Sequence, residues 1–212
     1  MKVKNYTMDN INNKEVVGYL NKLLDGNNRF INEKSIHPNT NNNTIRSLIN
    51  GQKPFATVIT CSDSRVPPEL IFDVGIGDIF VIRTAGHVLT DAGLASLEYA
   101  IEHLHTKLII VLGHTHCGAV KSAVKSYDST SVADSHLNKL IETIKPSVEI
   151  ARCSCHTEED VINLSIDYNI YNTINSIKTL NNNIQKLITN NEVVLIPAKY
   201  DIETGKVELL KY

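Results

Sequence analysis

The 212-residue sequence lacks the features that mark membrane, secreted and nucleic-acid-binding proteins. Its longest apolar runs, such as residues 108–112, are far too short to cross a bilayer. No apolar core follows the N-terminal lysines, so we expect no signal peptide and a cytoplasmic location. The formal net charge is only −2, which gives no indication of a nucleic-acid or membrane partner.

Cysteine is also scarce, with four residues in the whole chain. In a reducing compartment, cysteines in such numbers are more often metal ligands or free thiols than a disulfide framework. The content of hydrophobic residues, 42%, is that of an ordinary globular protein with one sizeable core. The four residues are Cys61, Cys117, Cys153 and Cys155.

Short apolar runs alternate with helical patterns along most of the chain. An amphipathic helix is predicted over 11–33, where the Gly26-Asn27-Asn28 sequence could interrupt it. Alternation of this kind favours an α/β fold with a parallel sheet. Strands are predicted at 55–60, 78–83, 107–112 and 192–199, with a further edge strand at 206–210.

Potential metal ligands lie just beyond two of these strands. Cys61 ends the first, and His114 and Cys117 follow the third. Ligands of parallel sheets bind beyond the carboxyl ends of the strands, so we expect all three side chains in one crevice. Two thiolates and one imidazole suit a catalytic zinc ion, which keeps its fourth position open.

Other cysteines and histidines offer alternatives to this ligand set. His116 competes with His114, but it is adjacent to Cys117 and neighbouring side chains diverge, so His114 is favoured. Cys153 and Cys155 could bind a second metal or act in redox chemistry, although two exposed or partly buried free thiols are the simpler interpretation.

Asp63 and Arg65 follow the first ligand at a spacing that lets carboxylate and guanidinium pair. The pair could be a plain salt bridge that holds the loop. In the functional interpretation, Arg65 keeps Asp63 ionised and oriented, and Asp63 accepts a hydrogen bond from a zinc-bound hydroxide.

These residues belong to longer motifs, Cys-Ser-Asp-Ser-Arg-Val at 61–66 and Gly-His-Thr-His-Cys-Gly-Ala at 113–119. Together with weaker motifs at 24–30, 82–86 and 200–205, they resemble those of the β-class carbonic anhydrases. The resemblance covers most of the chain.

The resemblance implies a lyase that hydrates CO2 reversibly to bicarbonate and a proton, by attack of a zinc-bound hydroxide. It implies one zinc ion per chain, held by Cys61, His114 and Cys117, with Asp63 and Arg65 as the catalytic pair. It also implies a single α/β domain: a four-stranded, mostly parallel sheet with an added antiparallel edge strand, flanked by helices and preceded by an N-terminal helical arm.

The same resemblance implies an assembly, a homodimer or homotetramer. Residues 1–50 would form the helical arm that contacts the partner, and 51–212 the zinc-binding part of the domain. Gln52, Phe80 and Tyr99 match the family's substrate-binding positions, which approach the zinc across the dimer interface. Family members regulated by a second bicarbonate site use a Trp there, and this chain has no Trp, which argues against that regulation.

The resemblance leaves the proton carrier and the exact reaction open. His87, Tyr99 or buffer could carry the proton to solvent. Two thiolates cancel the formal charge of zinc, so its bound water should be less acidic than in a three-imidazole site, and activity should rise above roughly pH 8. Hydrolysis of a CO2 analogue, CS2 or COS, is the alternative on the same zinc site. A structural zinc or thiol-redox module is the non-enzymatic alternative, and the zinc version predicts a fourth protein ligand.

Overall fold

The computed structural model describes residues 11, 13–128 and 135–211. Their strands are β1 (Ala56–Cys61), β2 (Ile79–Thr84), β3 (Leu108–His114), β4 (Val194–Tyr200) and β5 (Val207–Leu209). Their helices are α1 (Lys14–Ile31), α2 (Asn42–Ser47), α3 (Pro68–Ile71), α4 (Asp91–Glu102), α5 (Gly118–Lys125), α6 (His136–Arg152), α7 (Glu158–Leu180) and α8 (Asn182–Thr189).

The five strands form one sheet in the order β2-β1-β3-β4-β5. The first four are parallel and β5 pairs antiparallel with β4, which confirms the predicted fold class. Every residue of β1 and β3 is buried, since helices cover both faces of the sheet. The carboxyl ends of these two strands, where Cys61 and His114 lie, are therefore neighbours at one edge of the sheet.

Apolar side chains form a core on each face of the sheet. Helices α1 and α3 cover one face, where Val16, Leu20 and Ile71 are fully buried. Helices α4 to α8 cover the other face. None of the helices in the described ranges is long and apolar enough to span a membrane.

Helix α1 corresponds to the predicted N-terminal helix, and it runs without interruption through Gly26, Asn27 and Asn28. Gly26 is required for packing, because a Cβ there would lie 1.7 Å from the carbonyl oxygen of Phe72. The first ten residues of the predicted arm lie outside the described part of the chain.

Asn27 joins α1 to two distant segments although it is an amide within a helix. Its Nδ2 donates to the carbonyl oxygens of Ile71 (3.1 Å) and Gly205 (2.9 Å), and its Oδ1 accepts from the backbone N–H of Val207 (2.9 Å). Only 4% of the residue is exposed, so water cannot replace these partners.

Replacing Asn27 by alanine should lower the free energy of unfolding by about 2–4 kcal/mol, because it removes the partner of three backbone groups, two of them buried. Chemical denaturation measures the change. Asn28→Ala is the matched control, since Asn28 is exposed and its Oδ1 accepts from the Nδ2 of Asn32, at the end of the helix. Equal stability of the two variants would contradict the structural role of Asn27.

Candidate metal centre

Cys61, His114 and Cys117 come together at the carboxyl edge of the sheet. Cys61 and His114 are the last residues of β1 and β3, and Cys117 immediately precedes α5. All three are buried, and their potential ligand atoms lie within 4.8 Å of one another. Among the described residues, no other His, Cys, Asp or Glu joins them, so a metal there would keep an open coordination position.

The imidazole of His114 has its metal-binding nitrogen free. Its Nδ1 lies 2.8 Å from the carbonyl oxygen of Thr115. Because a carbonyl can only accept, Nδ1 must carry the proton, and Nε2 must present its lone pair. This buried Nε2 has no hydrogen-bond partner in the described part of the chain, as expected of a nitrogen that binds a metal.

The carbonyl that orients His114 is itself held in place. The backbone N–H of Thr115 donates to the carbonyl oxygen of Tyr200 (3.0 Å). The Oγ1 of Thr115 accepts from the N–H of Ile202 (2.9 Å). Strand β4 and the turn after it thus orient the ring of His114 indirectly, through Thr115.

The two thiols share one proton. The pKa of Cys61 is lowered, chiefly because the thiol of Cys117 donates a hydrogen bond to its sulfur. The backbone N–H groups of Asp63 and Gly86 lower it further. The pKa of Cys117 is raised, because its proton is held by the Cys61 sulfur and burial disfavours a second thiolate. Two sulfurs and one imidazole nitrogen fit zinc, whose charge would stabilise both thiolates.

Asp63 and Arg65 form a bidentate ion pair beside the cluster. The Nε of Arg65 donates to Oδ1 of Asp63 at 2.9 Å, and its Nη2 donates to Oδ2 at 2.7 Å. The Arg65 guanidinium lowers the pKa of Asp63 to about 2, so the carboxylate is ionised at neutral pH. Engaged in this way, Asp63 lies outside the group of three ligands.

The competing candidates lie away from the cluster. His116 is exposed, and its Nε2 lies 3.0 Å from Oε1 of Glu203. Cys153 is exposed and Cys155 half-buried, and neither belongs to a potential metal site among the described residues. His87 is fully buried, and burial lowers its pKa to about 4. Full burial keeps the His87 imidazole out of direct contact with solvent, which argues against His87 as the proton carrier.

The predicted substrate-binding residues are not brought to the cluster within one chain. Gln52 precedes β1, at the opposite end of the strand from Cys61. Phe80 pairs with Thr57, four residues before Cys61, which corresponds to about 13 Å along the strand. Tyr99 on α4 lies beside Phe80, with ring centroids 6.2 Å apart, and is 46% exposed.

Three further residues contact this region and were not singled out from the sequence. Arg83 donates from Nε to the carbonyl oxygen of Cys61 (2.9 Å) and from Nη2 to that of Asp63 (2.7 Å). The N–H of Gly86 lies 3.3 Å from the Cys61 Sγ, and Asn169 bonds to the Gly86 carbonyl oxygen. Arg83 and Gly86 lie in the 82–86 motif, whereas nothing in the sequence around Asn169 indicated a role.

A buried Cys-His-Cys donor set with an open position, beside an ionised carboxylate, defines the class of protein: a metalloenzyme built on a parallel α/β sheet. A family model described as carbonic anhydrase matches residues 56–207, most of the chain. The chain therefore belongs to the carbonic anhydrase family, in its β class, a group of lyases whose general reaction is CO2 hydration.

Individual relatives agree with the family model. A carbonic anhydrase of Mycolicibacterium smegmatis is 34% identical over 197 residues, which cover 93% of this chain and 94% of the relative. Carbonic anhydrase 2 of Mycobacterium tuberculosis is 34% identical over 187 residues, 88% of this chain and 89% of the relative.

Solved structures share the fold. The β-carbonic anhydrase CcaA superposes with a TM-score of 0.69 at 27% identity, covering 92% of each chain. A β-carbonic anhydrase of Sordaria macrospora, one of two described as tetrameric, has a TM-score of 0.68 at 25% identity, covering 91% of this chain and 97% of that one.

Proposed function

We propose that this chain catalyses the zinc-dependent, reversible hydration of CO2 to bicarbonate and a proton, with Cys61, His114 and Cys117 as the zinc ligands. The observation that carries the proposal is the buried Nε2 of His114, which has no hydrogen-bond partner among the described residues. Its side chain belongs to a cluster with two cysteines, in which the potential ligand atoms lie within 4.8 Å of one another. A structural zinc site would need a fourth protein ligand, and none lies among the described residues.

When bound, a zinc ion supplies a Lewis acid that activates water for attack on CO2. Side chains near the cluster orient the water molecule. Asp63 is ionised and can only accept, so a water molecule beside it must donate a hydrogen to it and turn a lone pair away. Arg65 holds that carboxylate at both oxygens, and Arg83 holds the backbone that carries it.

We also propose that the working form is a homodimer, alone or doubled to a tetramer. Phe80 and Tyr99 form an aromatic pair on edge strand β2 and helix α4, where Phe80 is half-buried and Tyr99 is exposed. Neither side chain reaches the cluster of its own chain. A second copy seated on this edge would bring Gln52, Phe80 and Tyr99 to the neighbouring site. Exposed Ile45 and Ile49 support a contact of the 1–50 arm with that copy.

Tyr99→Glu tests the assembly. A carboxylate buried in the interface should weaken the dimer by about 3 kcal/mol, or about 100-fold in its dissociation constant, and activity should fall with it. Sedimentation velocity and CO2 hydration report the two effects. Ile150→Glu is the control, since Ile150 on α6 is exposed to a similar degree, 49% against 46%. A Tyr99→Glu protein that stays assembled and active would contradict this interface.

Removal and return of metal tests the proposed reaction. Protein treated with a chelator should lose CO2 hydration, and one equivalent of zinc per chain should restore it. Activity that survives complete removal of metal would overturn the proposal.

A further inference from the structure

A strained turn places a backbone donor on one of the proposed zinc ligands. The turn is the 3-10 segment Ala85–His87, in which Gly86 (φ 63°) and His87 (φ 47°) both adopt left-handed conformations. The Gly86 N–H thereby points at the Cys61 sulfur, 3.3 Å away. Such a hydrogen bond draws electron density from the sulfur and fixes its position.

Helix α7 holds this turn through Asn169, which is only 1% exposed. The Asn169 Nδ2 donates to the Gly86 carbonyl oxygen at 2.8 Å and lies 3.1 Å from the His87 Nε2. The carbonyl can only accept, so the orientation of the Asn169 amide is fixed and the His87 Nε2 must accept as well. Thr173 also contacts the turn, since its Oγ1 donates to the carbonyl oxygen of His87 (3.4 Å).

His87 carries two energetic costs in this arrangement. It is a non-glycine residue in the left-handed region. Because its Nε2 accepts, its Nδ1 carries the proton, and this buried N–H has no acceptor in the described part of the chain. Costs of this kind persist mainly where the local geometry serves a function.

We propose that Asn169 and His87 are positioning residues of the metal centre, which hold the Gly86 N–H on the Cys61 sulfur and so set the electron donation and zinc affinity of that ligand. The inference rests on the zinc centre proposed above. Groups that orient metal ligands typically contribute 10- to 100-fold to metal affinity.

Asn169→Leu tests the inference, because leucine has nearly the same volume and cannot donate. Zinc affinity, measured by competition with a chromophoric chelator, should fall about 10- to 100-fold. In the cobalt-substituted protein, the thiolate-to-cobalt charge-transfer band should move to lower energy, since the sulfur loses a hydrogen bond. A loss of packing alone would not move this band in that direction.

Asn172→Leu is the matched control on the same helix, because the Asn172 amide donates to the carbonyl oxygen of Thr143 on α6 (3.2 Å) and not to the turn. It should leave zinc affinity and the cobalt band unchanged. If Asn169→Leu does not fold, His87→Asn serves instead, because Asn tolerates a positive φ, and its zinc affinity should fall about tenfold.

Two negative results have different meanings. Suppose that the wild-type protein binds zinc, and that Asn169→Leu, or its substitute His87→Asn, has the same zinc affinity and the same cobalt spectrum as the wild type. That result would overturn the positioning role alone. A wild-type protein that binds no zinc would overturn the proposed centre and this inference with it.

Discussion

Replacing His114 by alanine is expected to abolish both zinc retention and CO2 hydration. The variant loses the only imidazole in the cluster and leaves two sulfurs, which must then bind the metal alone. Structural zinc sites bind with about 10–16 kcal/mol over four ligands, so one ligand contributes about 3 kcal/mol, or about 10²–10³ in affinity. Zinc per chain after dialysis against a weak chelator, measured by atomic absorption, should fall from about one to near zero.

His116→Ala is the control for the histidine and Cys153→Ala the control for loss of a cysteine. Both residues are exposed and lie outside the cluster, so their variants should keep zinc and activity. If His116→Ala lost zinc and His114→Ala kept it, the assignment of the imidazole ligand would be wrong.

Asp63→Asn is expected to lower kcat by about 10²–10⁴ with the zinc content unchanged. The substitution keeps the size of the side chain but replaces one acceptor oxygen with a donor. Water next to it can then point a hydrogen away and a lone pair toward the amide, the reverse of the orientation needed for attack. Because Asp63 lies outside the ligand group, metal binding should not follow the loss of activity.

Glu203→Gln is the matched control: it makes the same carboxylate-to-amide change at an exposed residue that contacts His116 and lies outside the ligand group. It should keep kcat near the wild-type value. Full activity of Asp63→Asn would show that the Asp63–Arg65 pair is only a salt bridge that holds the loop.

Much of the fold is readable from local patterns. Strands β1 and β3 are continuous apolar runs because helices cover both faces of the sheet, and their ends were predicted to within one or two residues. Helix α1 shows the limit of such patterns. Its Gly-Asn-Asn sequence suggests a break, yet Gly26 is needed for contact with Phe72, and Asn27 is satisfied by groups distant in sequence.

The candidate site likewise has residues that the sequence predicts and residues that it does not. Cys61 and His114 end adjacent parallel strands, so topology alone places them together. Asp63 and Arg65 are paired by their spacing. Asn169, by contrast, reaches the turn at Gly86 from 83 residues away, so that its role depends on tertiary packing.

Phe80 and Tyr99 show a different limit. Neither reaches the cluster of its own chain, since Phe80 lies about 13 Å from Cys61 along the sheet and Tyr99 packs beside Phe80. Only an assembly of two copies can bring them to a zinc site.

Stopped-flow CO2 hydration by protein of measured zinc content, from about pH 6.5 to about pH 9, tests the central claim most directly. We expect turnover proportional to bound zinc and rising with pH, since two thiolate ligands make zinc-activated water less acidic than three imidazoles do. A fully metallated protein with no CO2 turnover even at about pH 9, or one that hydrolyses CS2 or COS instead, would contradict it.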